Sequence, residues 1–166
     1  MVCDDEPVEH EHVMARIEVP AAVDGSWAVS PGRRRNMQAN RSRDTGPELA
    51  LRRLLHARGL RYRVAARPLP ELRRTADIVF RRARVAVFID GCYWHGCPEH
   101  YRVPRHHTGY WSVKIATNVE RDRDTDVKLL EAGWMVLRFW EHEDPATCAE
   151  MICVEVRRAL HVKADA

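Results

Sequence analysis

The richest chemistry in this chain lies in eleven consecutive residues, Asp90-Gly91-Cys92-Tyr93-Trp94-His95-Gly96-Cys97-Pro98-Glu99-His100. Carboxylate, imidazole and thiol groups stand here within reach of one another, so both hard and soft cations have donors. Cys97 and His100 have the spacing of half a structural zinc site, which His142 and Cys148 could complete from the far end of the domain. The plainer use of the same residues is buried thiols beside a surface histidine. Upstream, Asp77 is the lone carboxylate of an apolar run, Ala76-Asp77-Ile78-Val79-Phe80, and Asp90 ends the next run, Val85–Asp90. Burying a carboxylate is costly unless it meets a cation or hydrogen-bond donors. Phosphodiester hydrolysis by a carboxylate-held divalent cation is the chemistry such a pair would serve. Capping a turn, or pairing with one of the many arginines, is the alternative for each. The neighbouring aromatics Tyr93 and Trp94 lack the period of a core face and suit a wedge between bases. Tyr110-Trp111 follows in similar style, although core packing is the simpler reading of Trp111.

The elements that must position these residues are marked by period and punctuation. A first helix starts at Thr45 as N-cap, with Pro47 in the first turn and Glu48 three residues after the cap, and closes at Gly59. Glu48 therefore has two uses, helix capping or service at a metal site. Strands are expected at Arg61–Ala65, Thr75–Phe80 and Arg84–Asp90, the last two joined by a short turn at Arg81–Arg82. If that turn pairs Asp77 with Phe88, Asp90 shares a face with Asp77; a slip of one residue would separate them. After the loop Gly91–Thr108, helix is expected over Gly109–Glu131, strand over Trp134–Trp140 and a closing helix over Pro145–Leu160. The order α-β-β-β-α-β-α predicts an α/β layered domain, a mixed sheet flanked by helices.

Composition bounds the partners. At 166 residues the chain is one domain's worth, with no apolar run long enough to span a bilayer and no secretory leader, so the expected compartment is the cytoplasm. Its five cysteines are an odd count that makes a poor disulfide framework. Residues 1–30 hold seven acids and one base and read as an acidic mobile tail, while 31–166 form the basic body. Of 27 bases, 24 are arginine, whose planar fork suits phosphate, so a polyanionic partner is the natural one. A solvated arginine-rich surface would have the same composition.

The residues that could do chemistry also carry a resemblance. Arg43-Asp44-Thr45 with Glu48, Ala76-Asp77-Ile78, the Asp90–His100 run, Asn118-Val119-Glu120-Arg121-Asp122, Gly133-Trp134 and Trp140-Glu141-His142 resemble the very short patch repair (Vsr) endonucleases in content and order. The likeness spans roughly residues 33–143. It implies a restriction-endonuclease-like core, a structural zinc and magnesium-dependent nicking of double-stranded DNA 5′ to the thymine of a T:G mispair left by deamination of 5-methylcytosine. By the same likeness, Asp77 and the backbone carbonyl of Ile89 hold magnesium, and His95 activates water. Glu48 reaches the metal through water. Tyr93, Trp94 and Trp111 wedge into the DNA, and Met37 lies near the mispair. Cys97, His100 and His142 are the implied zinc ligands, with the fourth open. Asp90 stands where part of the family has histidine, so it either binds metal directly or holds His95. Ala76 replaces the common proline before Asp77.

Three functions compete: a mismatch-directed nicking endonuclease acting as a monomer on nucleoid DNA, a related restriction or defence nuclease with another target, and a catalytically inactive zinc-containing DNA-binding module. Nicking in magnesium separates the first two from the third, and T:G against T:A duplexes separates the first from the second.

Overall fold

The structure, a computed structural model, describes residues 43–103 and 108–162. The acidic segment 1–30, Met37 and residues 104–107 lie outside the described residues. Among the described residues seven elements follow in the expected order: α1 (Gly46–Ala57), β1 (Arg63–Ala66), β2 (Ala76–Phe80), β3 (Val85–Asp90), α2 (Thr108–Glu131), β4 (Met135–Trp140) and α3 (Pro145–Val162). The expected boundaries hold to within about two residues. Among the described residues no helix is long and apolar enough to cross a membrane.

Helices α1 and α2 stop in the same way. After α1 the Leu60 amide bonds the Leu55 carbonyl and the Gly59 amide bonds that of His56; after α2, Trp134 bonds Leu129 and Gly133 bonds Leu130. Gly59 and Gly133 take φ of 78° and 72°, the left-handed turn that this ending requires and that glycine adopts without penalty. The start of α1 differs from expectation. Thr45 makes no side-chain cap; its hydroxyl instead donates to Glu48 Oε1 at 2.9 Å, while Glu48 Oε2 accepts the Asp44 amide at 3.0 Å. Glu48 thus does the capping, reaching back over the helix start.

The sheet runs β1-β2-β3-β4, antiparallel except for the parallel pair β3–β4, which α2 connects. The β2–β3 turn takes four residues, Arg81 to Arg84, rather than two, with Arg84 in the left-handed region at φ 55°. Its register pairs Ile78 with Val87, which sets Asp77 opposite Phe88 and so puts Asp77 and Asp90 on one face. Two cores result. On one face Ile78, Phe80, Val85, Val87 and Phe139 pack with Leu51 and Leu55 of α1 and Ile152 and Val156 of α3. On the other, Val79, Ala86, Phe88 and Trp134 pack with Leu129 of α2. The alternation along β4 supplies both, with Met135, Leu137 and Phe139 on the first face and Trp134 and Val136 on the second. Asp77, Asp90 and Arg138 belong by parity to the α2 face, where the functional groups gather.

Candidate active site and metal centre

Where β2 and β3 part, Asp77 takes the place of a backbone partner. Its Oδ2 accepts the Ile89 amide at 2.7 Å. Burial, reinforced by the negative charges of Glu48 and Asp90 and opposed by the Ile89 amide and the Arg138 charge, pushes its carboxyl up to about 6. A half-buried acid with two other acids for neighbours would gain from a bound cation. Glu48, only 5% exposed, adds its negative charge from α1, and so caps its helix and acts on Asp77 at once.

The loop after β3 is folded on itself and pinned at both ends. The amides of Trp94 and His95 bond the Gly91 carbonyl, and the Cys97 amide bonds that of Cys92. Glu141, just past β4, accepts the Cys92 amide at 2.7 Å through its side chain, and its own amide bonds the Asp90 carbonyl. From α2, Asn118 Nδ2 donates to the Trp94 carbonyl at 2.9 Å. One helical turn on, Asp122 Oδ2 accepts from His95 Nδ1 at 2.5 Å. A further turn on, Asp126 binds Arg138 Nε with both oxygens at 3.0 Å. The i, i+4, i+8 spacing of Asn118, Asp122 and Asp126 lines one face of α2 along the loop and β4.

Since a carboxylate only accepts, His95 donates from Nδ1 and keeps Nε2 as its basic nitrogen. Burial works against a charged imidazole, but the hydrogen bond to Asp122 and the charges of Asp90 and Asp122 outweigh it, leaving His95 more basic than usual. That is the preparation of a general base. Asp90, 8% exposed, has Oδ1 and Oδ2 at 2.8 and 2.7 Å from Arg138 Nη1, with His95 Nδ1 a further contact at 3.7 Å. The arginine that pairs with it comes from β4 and the helix partner of His95 from α2. Neither Asp122 nor Arg138 was singled out for a role from the sequence; the polar stripe at helical spacing inside α2 was the available signal.

Four donors converge at the other end of the loop. Cys92, Cys97, His100 and His142 bring their ligand atoms within 4.8 Å of one another. Cys92 Sγ lies 3.0 Å from His142 Nδ1 and 3.9 Å from His100 Nδ1; Cys97 Sγ lies 3.9 and 3.7 Å from the same atoms. A tetrahedral zinc with bonds of ~2.0–2.3 Å sets sulfur and nitrogen ligands about 3.5 Å apart, so the donor set fits that ion. Burial first, and the adjoining Cys97 thiol second, push Cys92 up to about 12. Cys97, His100 and His142 are brought together as expected, and Cys92 is the fourth donor. Cys148 is not; it is buried in the core between sheet, α1 and α3.

The aromatics form a cluster beside the site and outside both cores. Tyr93 and Trp94 meet edge to face at 5.2 Å, and Trp111 lies 5.8 Å from each ring. All three are half-buried, while the adjoining Tyr110 is exposed.

The family model described as DNA mismatch endonuclease Vsr matches residues 29–100. The type II nicking enzyme V.NaeI of Lentzea aerocolonigenes is 52% identical over 118 residues, covering 70% of this chain and 71% of that protein. The chain belongs to the Vsr family. The DNA mismatch endonuclease Vsr of Escherichia coli K12 is 41% identical over 110 residues, 66% of this chain and 69% of its own length. The type II nicking enzyme V.XorIIP of Xanthomonas oryzae is 42% identical over 117 residues, 69% and 84%. A mixed sheet with helices on both faces is the restriction-endonuclease-like fold of the family, and the protein is a DNA endonuclease.

Replacing Asp122 by asparagine tests the His95 assignment. An amide can donate to Nδ1 and so reverse the tautomer, leaving Nε2 protonated. We expect Asp122→Asn to lower nicking by about a hundredfold or more with duplex affinity unchanged, as tautomer reversal does in other histidine-based sites. Nicking within threefold of the parent protein would remove Asp122 from the site.

Proposed function

We propose that this protein nicks one strand of duplex DNA 5′ to the thymine of a T:G mispair, using a divalent cation held at Asp77 and His95 as general base. The observation that carries the reading is the juxtaposition of the half-buried Asp77 carboxylate, the Asp122–His95 pair and the half-buried aromatic cluster on one loop and its flanking elements. Magnesium at Asp77, with the Ile89 carbonyl as a further ligand, would supply Lewis-acid charge to the scissile phosphate. His95 Nε2 takes the proton of the attacking water, and Asp122 holds the imidazole through that transfer. The Asp77 carboxylate is itself held in place by the Ile89 amide. Zinc at Cys92, Cys97, His100 and His142 would tie the loop to the end of β4, keeping His95 and the aromatics in fixed relation. Duplex binding rests on arginine–phosphate contacts and is steeply salt-dependent.

A second reading has a specific observation behind it: the nicking enzyme V.NaeI shares more identity with this chain than the E. coli mismatch endonuclease does. On that reading the target is set by a restriction-type recognition sequence. Nicking of T:G and T:A duplexes with randomised flanks in magnesium tests both. Nicking of T:G alone supports the proposal; equal nicking of T:A in one sequence context favours the second reading, and no nicking of either leaves a DNA-binding module.

The aromatic cluster supplies its own test. Large buried core aromatics cost roughly 3–5 kcal/mol when truncated. Trp94 belongs to neither core, so Trp94→Ala should cost nearer the ~0.5–1.5 kcal/mol of an aromatic pair. A mispair stacks poorly and opens cheaply, and an aromatic wedge converts that difference into selectivity. Trp94→Ala is therefore expected to lose its preference for T:G over T:A in binding while its melting temperature stays close to that of the parent. A strongly destabilised variant that still prefers T:G would place Trp94 in the core and end the wedge role.

A further inference from the structure

Asp90, His95 and Asp122 bring their ligand atoms within 4.8 Å of one another, a set that on composition alone is a second divalent-cation site. The place of the cation is already taken. The Arg138 guanidinium lies 2.7 Å from Asp90 Oδ2, 3.0 Å from Asp126 Oδ2 and 3.5 Å from Asp122 Oδ1, so one fixed positive charge faces three carboxylates. Its Cζ lies over the Phe88 ring, 4.5 Å from the centroid, which sets the height of the fork above the sheet. Its side chain is 13% exposed, and Nη2 is buried with no hydrogen-bond partner among the described residues, so the arginine is held by charge as much as by bonding. Burying that many ionised groups without compensation is expensive, and each carboxylate here is compensated by the same arginine.

We infer that Arg138 is a built-in cation standing in place of a second divalent ion, and a positioning residue that keeps Asp90 and Asp122 rigid so that His95 holds a single orientation. The inference rests on the reading of His95 as the base. Two consequences separate it from a merely structural ion pair. First, Asp90 is not a ligand of the catalytic cation, because its charge is already compensated by the guanidinium, which contacts both of its oxygens. Second, removing the guanidinium uncovers a cation site that the parent protein lacks.

The test is manganese stoichiometry of the zinc-loaded full chain, measured by electron paramagnetic resonance, alongside nicking under saturating duplex. Arg138→Ala is expected to bind one more manganese ion per chain than the parent and to nick roughly a hundredfold more slowly, the usual penalty for a misplaced catalytic group. Millimolar guanidinium should restore part of that rate and expel the additional ion. No gain of manganese in folded Arg138→Ala overturns the inference. Should Arg138→Ala not fold, Asp90→Asn in the otherwise intact protein decides: unchanged manganese binding supports the inference, and loss of an ion makes Asp90 a ligand and refutes it. Asp77→Asn run in parallel keeps the two readings apart, since retention of every manganese ion there refutes the Asp77 site without touching the gain expected on removing Arg138.

Discussion

Asp77→Ala should abolish nicking, by on the order of a thousandfold or more, while duplex binding persists. The expectation comes from the strand as much as from the charge. Asp77 occupies a position on the α2 face of β2 whose neighbours Ala76, Ile78 and Val79 are all buried, and its carboxyl is driven up to about 6 mainly by that burial. An acid in those surroundings is costly as an anion unless a cation joins it, and a cation there is what the proposed hydrolysis would use. Alanine also orphans the Ile89 amide, which now gives its hydrogen to Asp77, and an unmade buried hydrogen bond costs ~1–3 kcal/mol. Asp77→Asn is therefore the cleaner companion. Its amide oxygen can still accept from Ile89, so the fold and the loop stay as they are while the charge is lost. Both variants should be equally inactive, with the asparagine form melting nearer the parent. A variant that keeps a tenth of parent nicking in magnesium would remove Asp77 from the metal site.

The second large effect concerns zinc. The purified protein should carry about one tightly held zinc, and Cys92→Ser should lose it as completely as Cys97→Ser. Three of the four donors come from one loop and the fourth, His142, from beyond β4, so a bound ion would close a long stretch of chain. Zinc binding in small domains is worth many kcal/mol, against ~5–15 kcal/mol for the whole of a typical fold. Loss of the ion should lower the melting temperature and, because His95 lies between Cys92 and Cys97, take activity with it. Cys148→Ser is the control. Its thiol is pushed up to about 11, chiefly by burial, and lies in the core, so that variant should keep its zinc. Protein prepared without chelator and free of zinc would sink the assignment, as would zinc loss from Cys148→Ser alone.

Much of this was legible in one dimension because it depends on local rules. Helix starts and stops, the lone acid in an apolar strand and the alternation along β4 are each consequences of neighbours a few residues away. Gly59 and Gly133 ended their helices where a left-handed residue was needed. Thr45 and Glu48 were correctly paired but with roles exchanged: the spacing is indifferent to which side chain turns back, and the buried glutamate does so because its charge needs the Asp44 amide and Arg52.

Whether Asp77 and Asp90 would meet was conditional on the register of a turn, since a side-chain period of two makes a one-residue slip invert a strand. The β2–β3 pairing resolved that in favour of a shared face. The fourth zinc donor depended on how the loop closes, and the hydrogen bond from Cys97 to the Cys92 carbonyl brings Cys92 inward where Cys148 stays in the core. Asp122, Asp126 and Arg138 were given no role from the sequence for a physical reason. A charged residue in a helix or strand is ordinarily a solvated one, and only the packing of α2 across the β3–β4 pair turns these three toward one another and toward His95. The residue types able to do the chemistry are thus written in the chain, whereas which acids meet Arg138 is decided by the contact between one helix and two parallel strands.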